Sequence, residues 1–159
     1  MAAVAFATGN NVETERLLDE ATAMRGDVGP WFTFLALRVR AMLAVQRGSA
    51  DEAIANIREG LAQIRRLQDK FAFVSALIPL AAAAALKGND AWAARILGAS
   101  DAVSERTGAA IADKSVEALR ERTERDARVR LGPEKWATAY AAGRSASIDA
   151  LIKDIDRAV

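Results

Sequence analysis

The chain has 159 residues, with 22 Lys+Arg against 21 Asp+Glu, no histidine and no cysteine. The missing His and Cys exclude Ser-His-Asp, Cys-His and HExxH chemistries, any disulfide framework and any thiolate zinc site. The net charge of +1 excludes a strongly basic nucleic-acid module or an acidic tail as the dominant feature.

Alanine occurs 37 times, against 10 glycines and 3 prolines. It is the best helix former, so composition predicts an all-α, closely packed, non-catalytic protein. The length suits one domain with one core.

In chain order, a short apolar helix is predicted over 2–8. It lacks a basic flank and is not a secretory signal. Helices follow over 11–25, 31–47, 51–68, 70–87, 90–107, 113–131, 134–142 and 148–157. Pro30 marks the start of the third. Pro79 falls inside the fifth, where it removes a backbone hydrogen bond and is expected to bend the helix. The longest uncharged stretch, 71–86, falls short of the roughly 20 residues that a membrane span needs. The chain is expected to be cytoplasmic, with no membrane and no nucleic-acid partner.

Gly9, Gly48 and Gly88 each end an apolar run and precede Asn10, Ser49 and Asn89, all cap-forming residues. Their intervals, 39 and 40, are those of a helical repeat array. Five residues past each glycine stand Thr14, Ala53 and Ala93, all small; nine past stand Leu18, Ile57 and Leu97, all large. The fold expected is an antiparallel helix-pair solenoid of about 8–9 helices in one domain, 1–159. Repeats span about 1–108 and a helical cap about 109–159.

The charged helix over 113–131 has a narrow stripe of Val116, Leu119, Thr123, Ala127 and Leu131, so it packs on one side. Glu121–Arg125, Glu124–Arg128 and Asp126–Arg130 are expected as i,i+4 pairs. Its arginines alternate with acids, which cancels the field a phosphate backbone needs. The acids Glu13, Glu15, Asp19 and Glu20 open a helix, where the dipole favours them. No phosphate loop is present. No catalytic, cofactor-binding or metal-binding residue is predicted. Trp31, Phe34 and Phe73 are the candidates for a groove that takes a ligand or a partner, with core packing the plainer reading for aromatic clusters. Phe32 and Phe71 belong to the same group.

From Asp90 the chain reads DAWAARILGASDAVSERTGAAI, and after the charged helix LGPEKWATAYAAGRSASIDALIKD. These segments resemble the C-terminal, tetratricopeptide-like helical region of actinobacterial LuxR-type and adenylate cyclase-linked transcriptional regulators. The match rests on Ala93, Ala94, Arg95, Ile96, Leu97, Gly98 and Ala99, then on Leu131-Gly132, Trp136, Tyr140, Gly143-Arg144 and Ser147. It covers about 90–152, and the earlier repeats more loosely. Trp136 and Tyr140 lie one turn apart and are expected to pin the last hairpin to the repeats. Gly143 is expected to end its helix and Ser147 to cap the next.

The resemblance implies a sensory or protein-interaction domain of a signalling transcriptional regulator, either excised or stand-alone. Its partner is a protein or the neighbouring domains of that regulator. The cyclase, ATPase and helix-turn-helix modules of such proteins are not in this chain, so catalysis, ATP binding and DNA binding are not carried over. The alternatives are a regulatory segment of a class III nucleotide cyclase and a small-molecule-binding helical domain. A homodimer through the N-terminal helices is also expected. There Val4 and Phe6, with the apolar side of 11–25, would leave a patch that a second copy covers.

Overall fold

The computed structural model describes residues 1–23, 29–64, 69–108, 113–147, 150–151 and 153–154. Among them are eight helices and no strand: α1 (Ala2–Ala7), α2 (Asn11–Ala23), α3 (Gly29–Gln46), α4 (Ala50–Ile64), α5 (Lys70–Leu86), α6 (Asp90–Thr107), α7 (Lys114–Leu131) and α8 (Pro133–Arg144). The chain is all-α, as composition predicts. Where both ends are described, boundaries fall within two residues of expectation. The helix expected over 148–157 lies largely outside the described residues.

One turn is built three times. Gly9, Gly48 and Gly88 have φ of 76°, 77° and 75°. At each, the glycine N–H donates to the carbonyl three residues back, and the next N–H donates to the carbonyl five back: Phe6 and Ala5, Val45 and Ala44, Ala85 and Ala84. This paired arrangement closes a helix through a left-handed residue, which only glycine adopts without strain. The following helix starts at once. The Asn10 and Asn89 side chains accept from the N–H groups of Glu13 (3.2 Å) and Trp92 (3.1 Å). Asp69 and Asp113 cap α5 and α7 in the same way, each cap contributing about 1 kcal/mol.

The repeat positions share a fate as well as a spacing. Thr14, Ala53 and Ala93 are fully buried, and so are Leu18, Ile57 and Leu97. The small residue lets a helix approach closely and the large one fills the seam. The odd-numbered helices α1, α3, α5 and α7 touch one another in that order, with even-numbered helices packed between them and α8 on α6. α5 is buried continuously from Ala72 to Ala84 because α3, α4, α6 and α7 all pack on it. Six alanines among these thirteen residues, four of them in the run 81–84, let four neighbours reach it. Pro79 sits within α5, and the helix continues on both sides of it.

Salt bridges repeat this pattern. A basic residue at the C-terminal end of an odd-numbered helix reaches back to the even-numbered helix that precedes it. Arg47 bonds to Glu15 (2.5 Å), Lys87 to Asp51 (2.6 Å) and Arg130 to Asp90 (2.7 Å). Arg40 adds a second link to α2 through Asp19 (2.6 Å). These exposed pairs are worth at most about 1 kcal/mol each, but they hold neighbouring helices in register. The acids of α2 are therefore structural: Glu15 and Asp19 bind α3, while Glu13 and Glu20 hold Arg16 within the helix.

The buried side of α7 is Val116, Leu119, Thr123 and Ala127, the expected stripe without Leu131, which is half-buried. Its ion pairs differ from expectation. None of Glu121–Arg125, Glu124–Arg128 and Asp126–Arg130 is a contact pair among the described residues. Arg120 instead bonds to Asp101 of α6 (2.6 Å) and meets Glu124 at 3.4 Å, and Arg130 turns to Asp90. Acids on the neighbouring helix win because those pairs are less exposed to water than pairs along α7's outer side.

Gly143 corrects a further expectation. It does not end α8, which runs through it to Arg144, and it is buried against α6. A Cβ at Gly143 would lie 1.8 Å from the Arg95 carbonyl oxygen, and one at Gly98 would lie 2.1 Å from the Tyr140 carbonyl oxygen. The two glycines let the α6 and α8 backbones touch. The Ser147 hydroxyl accepts from the Ala150 N–H at 3.1 Å, the bond of a helix N-cap.

Candidate functional site

Trp31, Phe34 and Phe73 do not form an open groove. Phe34 is wholly buried, with its ring over Gly60 of α4, where a Cβ would stand 3.2 Å from the ring edge. Phe73 is buried too, and Trp31 is half-buried, 5.8 Å from the Phe34 ring. Phe34 and Phe73 belong to the hydrophobic core, and Trp31 packs against it.

The exposed aromatic surface lies beside them. Phe32 is 64% exposed and Phe71 38%, and Trp31 meets Phe71 with centroids 6.2 Å apart at 42°. Trp31, Phe32 and Phe71 therefore make an aromatic edge where α3 and α5 begin. The helical period turns Phe32 away from Phe34 and Phe71 away from Phe73, each being two residues from its buried neighbour, while Trp31, three residues before Phe34, lies between the two groups.

The patch expected around Val4 and Phe6 is halved, because Phe6 is buried against the core. Met1, Val4 and Val12 remain exposed there.

At the other end of α3 and α5 the surface opens into a cleft of about 640 Å³. Three odd-numbered helices and Gly88 of the turn after α5 form it. Val45 and Gln46 come from α3; Ala82, Ala85 and Leu86 from α5; Leu119, Arg122, Thr123, Asp126 and Arg130 from α7. The alanines of α5 leave the floor low, and the long side chains of α7 stand along one wall. The Thr123 hydroxyl donates to the Leu119 carbonyl at 2.8 Å. Arg130 is held at Asp90 by two bonds, 3.0 and 2.7 Å. That pairing is the first cause of its raised pKa. Asp126 accepts from the Arg125 Nε at 2.9 Å. Arg122 is exposed and has no ion-pair partner among the described residues. Sequence reasoning missed this cleft, because Ala82 and Ala85 look there like any other residues of a buried helix.

Three further polar groups are perturbed. The Tyr140 hydroxyl donates to Asp101, which also accepts from Arg120. Burial, then that bond, pushes the Tyr140 pKa up. Arg38 lies inside the α3 core face at 7% exposure. It meets Asp113 at 3.4 Å, and its Nε has no partner. Burial lowers its pKa. Arg144 makes two bonds to Glu105, 3.0 and 2.6 Å, and they hold the Glu105 carboxyl below its ordinary range.

Among the described residues no group of three acidic side chains is placed to hold a metal ion, and no helix is long and apolar enough to cross a membrane. Comparison with family models, with curated proteins and with solved structures finds no match to the chain.

Proposed function

We propose that the chain is a tetratricopeptide-like solenoid that works by binding rather than catalysis, as the sensory or protein-interaction domain of a cytoplasmic, LuxR-type signalling regulator. Two things support the solenoid: the thrice-repeated glycine turn, and a row of odd-numbered helices covered by even-numbered ones. In such an array each unit packs only on its neighbours, so a continuous surface is left for partners. The regulator assignment rests on the resemblance of 90–152.

The observation that carries the binding role is the aromatic edge. Trp31, Phe32 and Phe71 stand together on a rigid pair of helices, with two rings in water. Exposed aromatic clusters of this kind are rare on monomers and common at the centre of interfaces. The partner is a protein or a neighbouring domain with an apolar patch of its own.

The test is photo-crosslinking in cells, with p-benzoylphenylalanine at position 32 and, as control, at position 129. Val129 is an apolar residue on α7, more exposed than Phe32. The proposal expects one adduct of defined mass from position 32, lost when Phe71 is changed to Ser, and none from position 129. No adduct from position 32, or the same adducts from both, defeats it.

A further inference from the structure

The cleft between α3, α5 and α7 is unused by the reading above. It lies at the opposite ends of α3 and α5 from the aromatic edge. Phe32 and Val45 are thirteen residues apart on one helix, about 20 Å along its axis. The two surfaces can therefore be occupied and tested separately.

Its volume, about 640 Å³, is that of a site for a small organic molecule. Its floor is apolar: Val45, Ala82, Ala85, Leu86 and Leu119. Leu86 is 47% exposed, so covering it removes apolar surface from water. The charge at the rim is uneven. Arg130 is neutralised by Asp90, and Asp126 is bonded to Arg125. Of these three rim charges, Arg122 alone has no ion-pair partner among the described residues. A guanidinium at the lip of an apolar cleft prefers an anionic oxygen to water when the rest of the ligand brings it there. The uncharged donors and acceptors are few: Gln46, and Thr123, whose hydroxyl is already spent on Leu119. A sugar or a nucleotide would find too few partners for its many polar groups.

We propose that this cleft binds a small amphipathic organic anion, with its apolar body on the Ala82–Leu86 floor and its carboxylate on Arg122. The site needs no change of fold, since the floor and the wall are already in place. The aromatic edge plays no part in it, so either surface can fail without the other.

The test is a titration of the ¹⁵N-labelled chain with decanoate below its aggregation concentration, followed by amide shifts. Decanol and decyltrimethylammonium serve as the neutral and cationic probes. The proposal expects saturable shifts at Ala82, Ala85, Gly88 and Thr123, and none at Phe32 or Phe71. Decanoate should bind about tenfold more tightly than decanol, and the cation more weakly than either. Arg122→Gln, a change at an exposed site that leaves the fold intact, should abolish the preference for decanoate over decanol. Ala85→Phe should fill the floor and abolish both. Equal affinities for decanoate and decanol in the unaltered chain would overturn the proposal. So would shifts confined to other helices, an unchanged preference in Arg122→Gln, or a failure to saturate.

Discussion

Gly98 of α6 and Gly143 of α8 form a reciprocal pair. Each presents its Cα to the carbonyl oxygen of the residue three before the other glycine, Tyr140 for Gly98 and Arg95 for Gly143. At such a distance a Cα–H points at a carbonyl oxygen, a weak but recurrent helix–helix contact. The α8 helix is thus seated on backbone, and the stacked Trp136 and Tyr140 rings (6.4 Å, 23°) flank the seat.

Alanine at either glycine is expected to destabilise. Replacing Gly by Ala inside a helix gains about 1 kcal/mol from propensity. Here the new methyl would collide with backbone at 1.8 or 2.1 Å, and overpacking of that kind costs about 1–3 kcal/mol or more. Urea midpoints should fall for Gly98→Ala and Gly143→Ala, and the double variant should cost less than the two losses added, because helices already parted make room for the second methyl. Gly60→Ala is the control. Its methyl would meet side chains and not backbone, the Phe34 ring edge at 3.2 Å and the Leu37 Cβ at 3.5 Å, and its midpoint should move little.

Trp136→Ala should destabilise by about 3 kcal/mol, the cost of removing a buried aromatic. Trp136 is the largest buried side chain of α8 and stacks on Tyr140. Thermal unfolding measures it; an unchanged midpoint would mean that α8 is not held by this ring.

Much of the fold is legible in the sequence because its signals are local. The turn glycines, the Asn10 and Asn89 caps and the small and large positions five and nine residues on all act within one turn or one helix pair. Gly143 shows where that stops. Followed by Arg and Ser it reads as a helix end, yet its task is set by Arg95, nearly fifty residues away. Arg38 is a polar residue in an apolar run, and nothing local says that it is buried. The cleft depends on how far α7 stands from α3, which no stretch of sequence contains. Of the aromatic group, the sequence singles out Trp31, Phe34 and Phe73 as groove candidates but does not tell which rings face water.

Arg38→Met should leave stability unchanged or raise it by about 1 kcal/mol. The buried guanidinium has one long contact, to Asp113, and an Nε with no partner. Such a group loses more by desolvation than it regains. Asp113→Ala should be destabilising, because it removes both the partner of a buried charge and the α7 N-cap. Denaturant unfolding of both variants decides the sign.

Tyr140 is the only tyrosine, so phenolate absorbance near 295 nm reports it alone. Its midpoint should lie above the ordinary tyrosine value of about 10, since burial and the Asp101 carboxylate both oppose ionisation. Because the folded pKa is raised, its contribution to stability is whole below the unfolded value and is lost as pH rises through the folded one. Asp101→Asn should bring the midpoint down.

The central claim is a repeat array whose units hold only their neighbours, and native-state hydrogen exchange on Gly143→Ala tests it most directly. Parting α8 from α6 should lower amide protection in α6, α7 and α8 and leave α2, α3 and α4 as protected as in the unaltered chain. An equal loss of protection in all helices would contradict the account, since it would show one indivisible core rather than a chain of neighbouring units.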